Sequence, residues 1–376
     1  MPSQVRLMVA RLDRLMERIV VYRPTGRRAK PWKLFTALLL VGAFLVQIWP
    51  ATQPVVDLYV FPVLVACFFL RRDGLKTIPI GLVLYHLGAM IEGRLSWRVL
   101  LLNDAIHLLE WGVLSMFVLV TLEKYVAVRQ LEANIRQDLQ LAKTLQTALV
   151  VREYELGKVR IDGTIHQCND VGGDFFYFRP FQEKYVTFCL GDVMGKGISA
   201  SLLMSMVMSF MFEWGKKSPS PSFVLKKLNH RLMRLWASHS DFFLAMVYAV
   251  YNEQEQTLTF AGGGHQGGLI LRRDGSIEPA ATEGLPLGVL EEAEYAEKTV
   301  AMTAGDRMVL CTDGVTEARG PGGELFGGER LAQVLRQGVG LSGRELVERL
   351  EAAVLRHTGG NYTDDLAILV FEVKQE

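Results

Sequence analysis

The chain has 376 residues, enough for two or three domains, and a net charge of +1, which removes any global electrostatic case for nucleic-acid binding. Hydrophobic residues make up 50%. The cysteines Cys67, Cys168, Cys189 and Cys311 stand apart with no CxxC pair, which argues against both a zinc knuckle and a disulfide framework.

Residues 1–31 form a basic cytoplasmic segment in which Leu and Met recur against Arg at helical spacing over 5–22. That pattern is either an amphipathic helix lying on the inner leaflet or a solvated helix that sets topology. Four apolar runs follow within 32–122: 32–49, 55–70, 75–91 and 99–122. A spanning helix needs roughly 20 apolar residues, so these runs predict a four-helix transmembrane region, the second run being the shortest and containing Pro62. The Lys and Arg bias of the flanks places both termini in the cytoplasm. His86 falls in the third run, and Asp104, His107 and Glu110 share one face of the fourth. Ionisable groups at that depth are costly, so they either hold the bundle together through hydrogen bonds or line a sensor pocket.

Residues 123–150 turn polar and contain neither Gly nor Pro. Val128, Leu131, Ile135, Ala142, Leu145 and Leu149 fall at a and d heptad positions, with Asp138 as the break. The connector therefore reads as a helix that either forms a parallel dimeric coiled coil or packs on the domain after it.

From 151 to 376 strands and helices come in blocks. Strands are predicted over 158–167, 174–179, 184–192, 242–251, 257–261, 268–272, 307–311 and 366–372. Helices are predicted over 198–214, 221–236, 329–337 and 342–356. Blocks rather than strict βαβ order give a layered α+β domain.

Four acids stand where strands begin or end: Asp174 in VGGDFF, Asp192 in CLGDVMGKG, Asp313 in LCTDGVTEA and Asp364 in NYTDDLAIL. Carboxylates from distant points, set beside glycines, suit one hard divalent cation site with oxygen ligands, Mg²⁺ or Mn²⁺. Such ions activate water and neutralise phosphoryl oxygens. GDVMGKG lacks the full GxxxxGK[ST] pattern of a nucleotide loop. His265 in AGGGHQ lies between glycine-rich turns and reads as structural or as a neighbour of the ligands. Cys311 reads as core.

Over about 140–373 the chain resembles the SpoIIE-like branch of the PPM metal-dependent serine/threonine phosphatases, the type that regulates stress and sporulation sigma factors. The resemblance rests on DLQLAKTLQTALV, VGGDFFYF, GDVMGKGISASLLMS, AGGGHQGGLIL, GLPLGV, GDRMVLCTDGVTEAR, FGGERL and DDLAILVF, in family order. It implies an α-β-β-α sandwich with two Mn²⁺ or Mg²⁺ ions between the sheets. Water activated by the two metals would attack phosphoserine or phosphothreonine of a protein, a STAS-type anti-sigma-factor antagonist in many relatives.

Carried onto these positions, the resemblance makes Asp192 the bridge between the metals, with the Val193 carbonyl on one of them. Asp313 and Asp364 hold the second ion. Asp174 binds through water or takes a third, weaker ion. Gly173, Gly195, Lys196, Gly197, His265, Gly314 and Asp365 become neighbours of the ligands or parts of a switch, in which the helices over 198–214 and 221–236 move with a homodimer joined through the connector. The chain departs from the family pattern at Met194, where a proton-donating histidine stands in eukaryotic relatives, and at Ala367, where threonine is usual. The chain is thus expected to be a multi-pass protein of the bacterial inner membrane. The competing reading is a membrane receptor whose soluble domain is a catalytically silent binding module.

Overall fold

The computed structural model describes residues 30–47, 59–91, 97–150, 153–182, 184–215, 218–236, 242–362 and 364–374, apart from the side chains at 30, 47, 71, 88–90 and 97–108. The expected amphipathic helix over 5–22 lies outside the described residues. Two compact units divide the chain, Met1–Arg136 and Gln137–Glu376.

The first unit is helical: α1 (Lys30–Gln47), α2 (Val60–Leu70), a 3₁₀ turn (Arg71–Lys76), α3 (Thr77–Ile91) and the start of α4 (Trp97–Leu149). Its core joins Leu40, Tyr59, Val63, Leu82, Tyr85 and Trp111. Trp32 stacks on Phe69 with ring centroids 3.5 Å apart. Apolar side chains also point outward, Leu38, Phe61, Val83, Leu109 and Phe117 among them. The four-span expectation is corrected here. Among the described residues one helix is long and apolar enough to cross a membrane by length and composition, through its stretch Leu109–Leu149. The helix α2 has 11 residues and α3 has 15. At 1.5 Å per residue both fall well short of the roughly 30 Å hydrocarbon core. The run over 75–91 had counted Leu75 and Lys76, which belong to the 3₁₀ turn.

In the second unit the strands are β1 (Glu153–Leu156), β2 (Val159–His166), β3 (Phe175–Phe181), β4 (Tyr185–Val193), β5 (Leu244–Asn252), β6 (Thr257–Gly263), β7 (Gly268–Leu271), β8 (Ile277–Ala280), β9 (Lys298–Ala301), β10 (Arg307–Cys311) and β11 (Leu366–Val373). They form a six-stranded sheet, β1-β2-β11-β10-β7-β8, and a five-stranded sheet, β3-β4-β5-β6-β9. The strand pairs are antiparallel. The helices are α5 (Ile198–Trp214), α6 (Pro221–Trp236), the one-turn α7 (Asp313–Thr316), α8 (Gly327–Gln337) and α9 (Gly343–His357).

The layering follows from side chains alternating across each strand. On β11, Ala367, Leu369 and Phe371 join Phe176, Phe188 and Leu190 between the sheets. Phe188 stacks on Phe371 across that layer, with centroids 4.8 Å apart. The alternate residues Leu366, Ile368 and Val370 face Leu335, Leu346 and Leu350 of α8 and α9. On the other sheet, Tyr177, Cys189 and Tyr248 meet Met204, Met208 and Leu228 of α5 and α6. The result is the expected α-β-β-α sandwich. The α9 terminus is fixed by a capping box between Ser342 and Glu345. Asn229 on α6 donates to the carbonyls of Leu290 and Glu291 and accepts from Gly288 N–H, which ties the 284–297 loop to that helix.

Candidate metal centre

Strand register brings the four acids to one end of the sandwich. Asp174 precedes Phe175, which pairs with Gly191, the neighbour of Asp192. Asp313 opens α7, two residues after Cys311, which pairs with Ile368 on the strand that Asp364 precedes. Electrostatic coupling links Asp174 to Asp192 and Asp313, and Asp192 to Asp313, Asp364 and Asp365.

Like charges crowded in a partly buried site disfavour their own ionisation. Burial raises the Asp174 carboxyl well above the usual carboxylate range, and Asp192 beside it adds to that. Asp192 is pushed up to about 7 by burial and by Asp313. Asp313 is raised by burial and by Asp364. Asp365 is raised mainly by burial. The cation in contact with this group among the described residues is Lys196, whose Nζ lies 2.8 Å from Asp364 Oδ1. That pair raises the Lys196 ammonium above its ordinary value. The donor set is therefore oxygen-rich and under-neutralised, which fits hard divalent cations.

Backbone approach shapes the rest. A Cβ at Gly314 would lie 1.8 Å from the Asp365 carbonyl oxygen, so the turn that carries Asp313 can press on the start of β11 only with glycine there. A Cβ at Gly173 would lie 2.5 Å from the Val193 carbonyl. Gly195 and Gly197 have φ of 101° and 74°, flanking Lys196 in the loop into α5.

Asp365 bonds to backbone. Its Oδ1 accepts from Cys168 N–H at 2.8 Å and its Oδ2 from Gly173 N–H at 3.1 Å. His265 is buried, its Nδ1 accepts from Gly267 N–H at 3.0 Å, and burial lowers it to about 4. A neutral, satisfied histidine matches the structural reading of that residue.

Sequence reasoning missed three contributors. Thr312 is buried, donates to Asp174 Oδ2 at 2.7 Å, and accepts from Ala367 N–H at 2.9 Å. Its position next to Asp313 in CTDG was the available signal. Cys168 Sγ shares a 4.8 Å neighbourhood with carboxylate oxygens of Asp364 and Asp365. Gln146, near the end of α4, donates to the Gly172 carbonyl at 2.8 Å and accepts from Gly172 N–H at 3.4 Å. In the first unit, His86 Nδ1 lies 2.8 Å from the Leu82 carbonyl of its own helix, and Glu110 is exposed. The side chains of Asp104 and His107 lie outside the described residues.

Residues 182–374 match the family described as Stage II sporulation protein E (SpoIIE). The phosphoserine phosphatase RsbU of Bacillus subtilis (strain 168) is 27% identical over 256 residues, covering 67% of this chain and 75% of RsbU. The phosphoserine phosphatase RsbP of the same strain is 23% identical over 191 residues, covering 50% of this chain and 47% of RsbP. The fold is shared with the SiaA-PP2C domain of Pseudomonas aeruginosa, at a TM-score of 0.56 and 21% identity over 64% of this chain and 98% of that one. It is shared too with the PP2C phosphatase domain and regulatory fragment of Bacillus subtilis SpoIIE, at a TM-score of 0.50 and 18% identity over 59% of this chain and 64% of that one. With its matched region reaching from β4 to the end of β11, the chain belongs to the SpoIIE family.

Proposed function

We propose that the chain is a metal-dependent protein serine/threonine phosphatase acting on phosphoserine or phosphothreonine of a signalling protein. The observation that carries this reading is the convergence of Asp174, Asp192, Asp313 and Asp364 at one end of the sandwich, with ionisation of three of them suppressed by burial and mutual repulsion. Such a cluster gains by taking Mn²⁺ or Mg²⁺. When bound, divalent ions supply a water of lowered pKa as nucleophile and neutralise the phosphoryl oxygens.

The protein's own residues hold and orient. Asp192 and the Val193 carbonyl beside it would hold the cations. Asp313 and Asp364 would hold a second ion, and Lys196 would have to release Asp364 for it. Thr312 aims Asp174, the ligand for a weaker site or for a bound water. Asp365 keeps the Gly172–Gly173 backbone closed under the acids and is not itself a ligand. Met194 has no titratable group and cannot itself protonate the leaving alkoxide. RsbU and RsbP support a phosphoprotein substrate, and we extend this to a STAS-type anti-sigma-factor antagonist.

We further place the first unit at the bacterial inner membrane, anchored by α4. Its outward apolar side chains support that reading. The heptad residues Val128, Leu131, Ile135 and Leu145 are exposed in the single chain, and a parallel homodimer would cover them. A membrane signal passing along α4 would bias the site through α5 and α6.

The test uses purified full-length protein. Calorimetry should detect Mn²⁺ binding, and p-nitrophenyl phosphate should be hydrolysed only with the metal. Asp192→Asn and Asp313→Asn should lose both. Equal metal affinity and equal rates in wild type and variants would sink the assignment.

A further inference from the structure

A cavity of about 210 Å³ opens beside α7. Leu269, Val309, Cys311 and Leu331 form its floor and wall, Pro279 and Ala281 its edge. Its lining carries no charged side chain. Gln266 and Thr316 stand at the rim, with Gln266 Nε2 donating to Thr316 Oγ1 at 3.4 Å. Thr316 Oγ1 in turn lies 3.5 Å from the carbonyl of Asp313. The mouth therefore sits one helical turn from a metal-centre acid, on the same stretch of backbone.

Three features narrow what it holds. An uncharged, largely apolar lining cannot take the phosphoryl group, which the acid cluster and its cations claim. Small-molecule and cofactor sites run to about 300–1,000 Å³, so this volume suits a single side chain better than a free ligand. The contact of Thr316 with the Asp313 carbonyl puts the rim within reach of a polypeptide whose phosphoester lies at the acid cluster.

Resting on the phosphatase reading above, we propose that this cavity seats an apolar side chain of the phosphoprotein substrate. One turn of helix is about 5.4 Å and an extended chain advances about 3.3 Å per residue, so the anchored side chain lies about two residues from the phosphorylated one. The cavity supplies sequence selectivity that the cations, which read only the phosphate, cannot.

Gly328 provides the means to test it. It lines the cavity from the first turn of α8, and a Cβ there would meet nothing within 4 Å. Gly328→Trp brings a bulky ring to the space from a position where its Cβ meets no neighbour, and Gly328→Ala leaves it open. Ala332→Met, on the same helix, is a second plug built from a good helix former. Melting temperatures of the three variants report folding.

The substrates are phosphoserine peptides of Gly and Ser that carry one Leu, moved from four residues before to four after the phosphoserine. With Mn²⁺-loaded full-length protein, one Leu position should raise kcat/KM about tenfold or more over the peptide without Leu, the scale on which apolar pockets discriminate. Gly328→Ala should keep that ratio, and both plugs should bring it to one. No preferred position, a preference that survives both plugs, or plugs that slow all peptides equally would each overturn the proposal. Hydrolysis of p-nitrophenyl phosphate by the wild type separates the two readings. If it is present without a peptide preference, only the cavity proposal falls. If the wild type hydrolyses neither probe, the phosphatase reading falls and takes the cavity with it.

Discussion

The hydroxyl of Thr312 holds the carboxylate of Asp174 at 2.7 Å, and both residues are buried. The same oxygen accepts the Ala367 N–H, so one side chain links β3 to both central strands of the facing sheet. Removing the hydroxyl strands a buried carboxyl and a buried amide at once. Thr312→Val should destabilise the protein by about 1–3 kcal/mol, the cost of an unsatisfied buried polar group. Thr312→Ser should recover most of it. Urea denaturation in the presence of a chelator measures both.

The acid cluster sets the pH dependence of the metal-free protein. The folded chain keeps the Asp192 proton up to about 7, whereas an unperturbed carboxyl releases it near 3.8. Between those values the native state binds more protons than the unfolded one, so stability falls as pH rises through that window. Asp174, shifted in the same direction, adds to the slope. Melting temperature in chelator should therefore decline from about pH 4 to about pH 7, and the decline should be shallower in Asp192→Asn. Saturating Mn²⁺ should reverse the trend, since deprotonated carboxylates are its ligands.

Gly314 cannot accept a side chain. The Cβ of Gly314→Ala would lie 1.8 Å from the Asp365 carbonyl, and the backbone carrying Asp313 must retreat. A shift of about 1 Å at a positioning residue costs roughly a hundredfold in rate. Mn²⁺-dependent hydrolysis of an aryl phosphate should fall by about that factor, with secondary structure by circular dichroism unchanged.

Gln146 clasps both polar groups of the Gly172 peptide from the end of α4. Two such bonds at about 0.5–1.5 kcal/mol each set the stability loss expected of Gln146→Ala. Gly172 leads directly into Gly173 and Asp174, so the variant should also need more Mn²⁺ for half-maximal hydrolysis. Unchanged metal dependence would show that the clasp serves folding alone.

Much of the second unit was legible because its signals are periodic and local. The apolar run predicted over 184–192 is Tyr185–Val193, and the helices predicted over 329–337 and 342–356 are Gly327–Gln337 and Gly343–His357. The misses were short or polar. Glu153–Leu156 is a mostly exposed edge strand, and Asp313–Thr316 is a single turn, too brief to show a period. The four acids at the strand ends were legible through the glycines or the second acid beside them. Thr312 and Cys168 were not, because their partners lie 138 and 197 residues away in the chain. Apolar run length misled in the first unit, since hydropathy does not say where a helix stops.

The carboxylate of Asp365 gives the site a crossbar. It joins the start of β11 to the Cys168 and Gly173 amides on the far side of the acid cluster. The gap between Asp364 and Asp174 is thus spanned during folding, before any cation arrives. On the metal-site reading proposed above, an incoming ion would not have to gather loose chain segments. It enters a bracket of already determined width, and the ordering entropy that a flexible site would lose on binding has been surrendered when the sandwich forms. Selection among divalent ions then falls to the radius that this bracket admits.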